Sequence, residues 1–182
     1  MSDLSDLSQA GQLIGEKTEL ELYNLVEDAA EFCGFEYQAE NRYNLEGTQL
    51  TIESLPHITA HERSVSQVYQ NLISNAVKYG KNEDSQNEIA IGYDMEKEML
   101  YVRDNGEGIP DKIIDSIFEY GVTTGGTGIG LAIVKKYIGA HNGVIYVESE
   151  KGQGATYYFI FRETDHPRAF ITCGCQPGIL DT

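Results

Sequence analysis

The stretch "DNGEGIP" at Asp104–Pro110 follows the apolar run "EMLYV" at Glu98–Val102. It sets a carboxylate at the end of a predicted strand, with Gly106 and Gly108 directly after it. A surface hairpin needs one glycine at most, and a type I′ turn at Asn105–Gly106 is the plain reading. A second reading takes the carboxylate as a hydrogen-bond acceptor aimed into an apolar pocket. A buried acceptor selects a donor, and the exocyclic amine of adenine is one. On that reading Gly106 and Gly108 remove Cβ atoms that would strike a flat ring, and Ile109 supplies an apolar wall.

Two further motifs flank this one. Upstream, "NLISNAVKYG" runs from Asn71 to Gly80. Asn71, Asn75 and Lys78 crowd one face of a helix. Amide oxygens are hard ligands that suit Mg²⁺ when it shares its shell with phosphates, and a Lys ammonium adds a point charge for phosphate. A solvated polar helix face accounts for the same residues. Downstream, "TTGGTGIGL" at Thr123–Leu131 puts Gly125, Gly126, Gly128 and Gly130 just ahead of a helix. Unpaired amides and the helix dipole make such a start a phosphate cradle. It is not a dinucleotide fingerprint, because Leu131 stands where the third glycine belongs. Nor is it a P-loop, which closes on Gly-Lys-Ser/Thr.

Around the motifs, periodicity predicts a helix from Glu19 to Cys33, with Leu22, Leu25, Val26, Ala29 and Ala30 on one stripe and Gly34 as its stop. Extended segments follow at Tyr37–Tyr43 and Gln49–Leu55, divided by "NLEG" and closed by Pro56. The clearest helix runs from Glu62 to Tyr79 and ends at Gly80. After the polar turn "KNEDSQN", the alternating runs "EIAIGY" and "EMLYVRD" predict a hairpin. A short helix at Ile113–Glu119, a helix from Gly128 to His141 capped by Asn142 and Gly143, and strands at Val144–Glu148 and Thr156–Phe161 complete the pattern. Strands and helices grouped in this way predict an α+β sandwich, a mixed sheet covered on one face by helices.

Bulk properties narrow the function. The 182 residues suffice for one domain with a core, and 41% apolar content argues against disorder. The acidic start "MSDLSDLSQAG" lacks the features of a signal peptide, and no apolar run reaches the roughly eighteen residues of a membrane span. The expectation is a cytoplasmic domain without membrane contact. A net charge of −16 speaks against binding nucleic acid. Cys33, Cys173 and Cys175 form no disulfide framework, and with only His166 near the last two they make no metal set.

In this order and at these spacings, the motifs resemble the ATP-binding catalytic domain of sensor histidine kinases, within the gyrase/Hsp90/histidine-kinase/MutL ATPase superfamily. "NLISNAVKYG" looks like the N box, "DNGEGI" the G1 box, "IFEYG" the F box and "GTGIGLAIVKKY" the G2 box. The resemblance covers Thr18 to Arg162, with 1–17 as the end of a dimerisation helix or linker and 163–182 as a loose tail. It implies a Bergerat fold, a two-layer α/β sandwich with a short ATP lid, and ATP with Mg²⁺ as the ligands. By position it implies Asn75 as the metal ligand and Asn71 as a polar contact near the phosphates. Lys78 and Tyr79 would touch phosphate and ribose or base, and Asp104 the adenine amine. Gly106, Gly108 and Ile109 would shape the purine slot. Thr124, Gly126, Thr127, Gly128, Ile129, Gly130 and Leu131 would wrap the triphosphate. Thr156 would place a hydroxyl near Asp104.

The chain also departs from that family's pattern. The lid between Phe118 and Gly126 holds no Lys or Arg, which leaves Lys78 as the one expected cation near the γ-phosphate. The phosphoacceptor histidine at the start of a dimerisation helix is missing. His61, in "AHERSVSQ", is read as a surface loop or helix-start residue. The implied partners are therefore a separate histidine-bearing dimerisation domain and a response regulator, with a homodimer possible through a fuller N-terminal helix. Hydrolytic relatives resemble one another in a Glu at the position of Asn71, and an amide cannot serve as a base. An acceptor-less regulatory module and a serine-directed kinase of the anti-sigma-factor type are the alternatives.

Overall fold

The computed structural model describes residues 16–80, 86–123 and 127–162. The predicted turn after Gly80, the N-terminal linker up to residue 15, the tail from 163 with its two cysteines, and the lid positions Thr124 and Gly126 lie wholly or mostly outside those residues.

Thr18–Glu21 (β1) pairs antiparallel with His57–Ala60 (β5) in a ribbon of its own. Both strands depart from expectation: the first helix was predicted to start at Glu19, and the second strand was not predicted. In β1 only Leu20 is buried, so there is no apolar stripe to carry the helix back that far. The helix proper, α1, is Leu22–Phe32. It ends in a Schellman motif, with Phe35 N–H on Ala30 O at 3.0 Å, Gly34 N–H on Glu31 O at 2.9 Å and Gly34 at φ +95°.

Glu36–Ala39 (β2), Arg42–Leu45 (β3), Thr48–Ile52 (β4), Asn87–Asp94 (β6), Met99–Asp104 (β7), Val144–Glu150 (β8) and Gly154–Ile160 (β9) form one sheet in the order β2-β3-β4-β6-β7-β9-β8. Only β4 and β6 run parallel, because the chain crosses over between them through β5 and the helix α2, Glu62–Tyr79. The predicted single strand Tyr37–Tyr43 is instead a hairpin. Glu40 and Asn41 both take positive φ, 51° and 61°, the requirement of a two-residue type I′ turn. Short α3 is Asp111–Ile114, and α4 is Gly130–Ala140. Asn142, at φ 53°, ends α4 in a second Schellman motif.

The core lies between the helices and one sheet face. Leu50, Ile52, Ile89, Ile91, Val102, Tyr157 and Phe159 meet the stripes of α1, α2 and α4. The other sheet face carries Tyr146 stacked on Tyr158 at 5.3 Å, with the Lys97 ammonium 4.0 Å from the Tyr158 centroid. His61 precedes α2 as expected of a helix start, but it is buried rather than on the surface. Its backbone N–H donates to Nε2 of His141, which is fully buried. His141 Nδ1 in turn donates to Tyr137 O at 2.8 Å, fixing a neutral ring. Burial holds His141 below the usual imidazole range.

On α2, Tyr69 is wholly buried, its ring edge-on to Phe159, and its hydroxyl has no hydrogen-bond partner among the described residues. A buried unpaired hydroxyl is costly, and removing it leaves the ring packing intact. Tyr69→Phe is therefore expected to raise stability by about 1 kcal/mol, read as a rise in the midpoint of urea unfolding. A lower midpoint would contradict the unpaired hydroxyl.

Candidate functional site

The site begins where β7 ends. Asp104, 7% exposed, is aimed between the helical layer and the sheet. Its Oδ1 accepts from Gly106 N–H at 3.0 Å, and Ala155 N–H on the neighbouring strand also supports the carboxylate. Desolvation raises its pKa, and the two amides oppose that shift. The carboxylate is thus an acceptor held by backbone on two sides.

The loop after it is clamped from both sides. A Cβ on Gly106 would stand 2.4 Å from Tyr79 O and 2.5 Å from the Gly80 Cα, so the loop passes against the end of α2. Glu107 N–H donates to that Tyr79 carbonyl. On the other side, Gly108 at φ +71° abuts the Glu150 carbonyl, and Gly152 N–H donates to Glu107 O at 2.7 Å. Ser149 Oγ accepts from Ile109 N–H at 2.8 Å and donates to Gly154 O at 2.7 Å. Neither Asn105 nor Gly106 has positive φ, which rules out the type I′ turn. Asn105 instead extends the ladder to β6, with Oδ1 accepting from Glu88 N–H and Nδ2 donating to Gln86 O. Gly106 therefore makes room for a helix end, while Gly108 lies at the cavity itself.

Between this loop and α2 lies a cavity of about 460 Å³. Asn71, Asn75, Lys78 and Tyr79 line one wall, with Gln67 and Ser74 beside them. Ile109, Pro110, Ile113 and Ile117 form the opposite wall, and Asp104, Ala155 and Tyr157 the floor. Phe118, in "IFEYG", braces that floor by packing edge-on to Tyr157. Thr127, Gly128, Ile129, Gly130 and Leu131 close the far side. Gly130 starts α4 so close to α2 that its Cβ would meet Asn71 Oδ1 at 3.0 Å and Asn75 Oδ1 at 3.9 Å. Two amide oxygens thus face the amino end of a helix. Asn71 is oriented by its own Nδ2, which donates to Gln67 O at 2.8 Å. Across the mouth, Tyr79 Oη and Thr123 Oγ1 lie 3.2 Å apart. The lid's base is pinched where Gly121 N–H donates to Gly128 O at 3.0 Å.

One expectation needs correction. Thr156 does not face Asp104: side chains alternate along β9, and Ala155 and Tyr157 line the cavity while Thr156 points to the other sheet face. Ala155 is the residue that pairs with Asp104 across the ladder, so no threonine hydroxyl stands there; the hydroxyl that Asp104 influences is the buried phenol of Tyr157, held above the usual range by burial and then by that carboxylate. Lys151, in the turn between β8 and β9, also reaches the cavity, on the side of the Glu107 loop rather than beside Asn71 and Asn75. Ala155 and Tyr157 could have been found from the strand period of "GATYYF". Nothing in the sequence marked Lys151, whose place depends on that turn folding onto Glu107.

An acidic acceptor at one end of a slot, amide oxygens with a helix start at the other, and a glycine-rich lid define a nucleotide-binding α+β sandwich. The chain belongs to the family described as "Histidine kinase-, DNA gyrase B-, and HSP90-like ATPase", whose model matches residues 60–165. It is 44% identical over 125 residues to cyanobacterial phytochrome A of Nostoc sp. (strain PCC 7120), covering 62% of this chain and 16% of that one. It is 38% identical over 122 residues to the sensor histidine kinase WalK of Bacillus subtilis, covering 59% and 20%. The chain thus spans about one sixth of the first of these relatives. In fold it is similar to the nucleotide-free catalytic domain of the histidine kinase ThkA, with a TM-score of 0.64 at 22% identity over 82% of this chain and 99% of that one. Full-length ShkA in complex with AMPPNP gives a TM-score of 0.66 at 24% identity, covering 87% and 34%.

The clamp at Gly106 yields a prediction. Gly106→Ala drives a Cβ into backbone rather than into a yielding side chain, so the loop and Asp104 must shift. A stability loss of about 1–3 kcal/mol is expected, as for other overpacked sites. Nucleotide affinity should fall with it. Unfolding and titration on one sample check both; wild-type values would show that the loop has slack.

Proposed function

We propose that the domain binds ATP with Mg²⁺ in this cavity and donates the γ-phosphate to a histidine on a separate dimerisation segment, which then serves a response regulator. The observation that carries the reading is the placing of opposite chemistries at the two ends of one slot. Asp104 lies beside the carboxyl end of α2, where Gly80 packs under it, and Asn71 sits some two turns back along the same helix. The purine belongs at the first end and the phosphates at the second.

The amide pair suits a hard cation. No group of three or more His, Cys, Asp or Glu side chains that could hold a metal occurs among the described residues. An ion bound there would depend on Asn75, Asn71 and phosphate oxygens, a set that matches the preference of Mg²⁺ for few protein ligands. When bound, Mg²⁺ neutralises charge on the phosphates. Lys78 adds a cation on the same wall, and the amides that open α4 face the developing charge.

In the transfer, an imidazole nitrogen of the acceptor forms a bond to the γ-phosphorus as the bond to the β,γ-bridging oxygen breaks. ADP departs, and the imidazole proton passes to solvent. The domain's part is alignment. Hydrolysis is disfavoured by Asn71, an amide whose Nδ2 is already committed to Gln67 O and which cannot take a proton from water. Without an acceptor the chain is expected neither to label itself nor to release phosphate quickly. Incubation with labelled ATP, with and without a histidine-bearing segment, tests this; rapid phosphate release alone would support the hydrolytic reading instead.

Base choice follows from Asp104. Guanine presents a carbonyl where adenine presents its amine, and two facing acceptors cost about 1–3 kcal/mol. ATP should therefore outbind GTP by roughly ten- to a hundredfold in calorimetric titration. Because burial raises the Asp104 pKa, its carboxylate is lost at a higher pH than an ordinary one as the solution is acidified. Asp104→Asn should weaken ATP binding and remove that part of the pH dependence. Equal ATP and GTP affinities would sink the assignment.

At the other end, Asn75→Ala leaves the purine slot intact but misplaces the γ-phosphate. Transfer to a supplied acceptor should fall about a hundredfold, with adenosine affinity unchanged. Undiminished transfer would remove Asn75 from the site.

A further inference from the structure

Helices α2 and α4 meet at two places. The start of α4 meets the middle of α2 at the nucleotide cavity, where a Cβ on Gly130 would stand 3.0 Å from Asn71 Oδ1. The end of α4 meets the start of α2, where His141 Nε2 accepts from the His61 N–H at 3.3 Å. The two helices therefore run antiparallel, and the 11 residues of α4 set the contacts about 15 Å apart. We propose that the His61–His141 contact is a proton-operated strap. It holds α4 against α2 while both rings are neutral, and its release in mildly acid solution loosens the phosphate end of the cavity. The inference rests on the nucleotide reading above for what the cavity holds, and on the histidine pair alone for the strap.

Neither ring can take a proton where it stands. His141 is fully buried and both its nitrogens are in use, Nδ1 as donor to Tyr137 O at 2.8 Å and Nε2 as acceptor. A proton on Nε2 would set a second donor against the His61 N–H, so the bond between the helices is lost in the same step. His61 is 7% exposed, and its Nδ1 is buried with no hydrogen-bond partner among the described residues. A proton there would put an ionised ring with an unpaired donor in the interior. The two rings stand edge to face at 5.3 Å, so a charge on one opposes a charge on the other.

The remaining neighbours give a proton no support. Phe161 packs edge-on to His141 at 5.2 Å, and Lys17, ahead of β1, adds a positive charge. From the chain after β9 comes the Arg162 N–H, on the His141 carbonyl at 3.1 Å. Among the described residues no carboxylate acts on the ring. Burial is the main cause that holds it below the usual imidazole range; the Tyr137 carbonyl opposes that shift, and His61 and Lys17 add to it. The folded value thus lies below that of an open chain. The strap contributes in full above the ordinary imidazole value of about 6.5 and is lost as pH falls below it toward the folded value. One proton taken up on release raises the opening constant by at most about tenfold per pH unit in that window. The His61 carbonyl also accepts from the Ser64 and Val65 N–H groups, so release reaches the first turn of the helix that carries Asn71 and Asn75.

The test titrates the full chain with ATP and Mg²⁺ by calorimetry from about pH 7.5 to about pH 5.5, as wild type and as His141→Gln. The amide does not titrate. The ratio of the two affinities cancels the protonation of the nucleotide and of Asp104, which both proteins share. Wild-type affinity relative to His141→Gln is expected to fall severalfold as the pH drops below about 6.5, with about tenfold per pH unit as the ceiling. Nitrogen NMR of the wild-type imidazoles decides the matter if the variant does not fold. His141 should stay neutral, with its proton on Nδ1, down to about pH 6, and the Ser64 and Val65 amide signals should move when it protonates. A ratio that is flat across pH, or a His141 that protonates with those amides unmoved, would overturn the strap. If no nucleotide binds at any pH, the nucleotide reading falls, and the spectra alone decide the strap.

Discussion

The site depends on one steric fact: there is no room for a side chain where the loop after β7 crosses the end of α2. Gly106 touches the Tyr79 carbonyl and the Gly80 Cα as directly as backbone can. That contact fixes the height of the loop, and through it the direction of Asp104. The opposite clamp, Gly108 against the Glu150 carbonyl and Gly154 against the Asp104 backbone, fixes its tilt. A carboxylate placed in this way is costly to bury, as its raised pKa records, and two backbone amides offset part of that cost. The glycines read from the sequence as space for a ligand are, in the case of Gly106, space for the protein itself.

The same motif shows how far a sequence can be read. Helix α2 and its polar face were legible because an eighteen-residue periodic stretch leaves little ambiguity. The cavity residues from Asn71 to Tyr79 and from Thr127 to Leu131 were legible as chemistry on helix faces and helix starts. What escaped was set by contacts distant in sequence. Lys151 lines the cavity because its turn bonds to Glu107, and no local pattern encodes that bond. Ser149 ties two loops together by one hydroxyl. Thr156 was misplaced by a single strand step, which is enough to reverse a face. The β1–β5 ribbon was missed because each strand is four residues long and carries little apolar signal.

Charge distribution explains how so acidic a chain can hold a polyanion. A formal −16 would repel a nucleotide at long range if it were spread evenly. At the cavity the balance is local: Lys78 and Lys151 offset Asp104 and Glu107, and a helix start faces inward. Exposed acids elsewhere are partly neutralised in pairs such as Lys135–Glu119 and Lys97–Glu148. Screening in cellular salt shortens the reach of the remainder to about 8 Å.

The pinch between Gly121 and Gly128 has a consequence for how such a chain can vary. One backbone hydrogen bond, Gly121 N–H to Gly128 O, holds the two ends of the lid together whatever the length of chain between them. Doubling the length of such a loop adds only about 0.6 kcal/mol of closure entropy. Insertions and deletions can accumulate there while Gly128 to Leu131 stay in register with α2. The pinch separates a part of the chain that is free to drift from one that is not, and the boundary is a pair of residues without side chains.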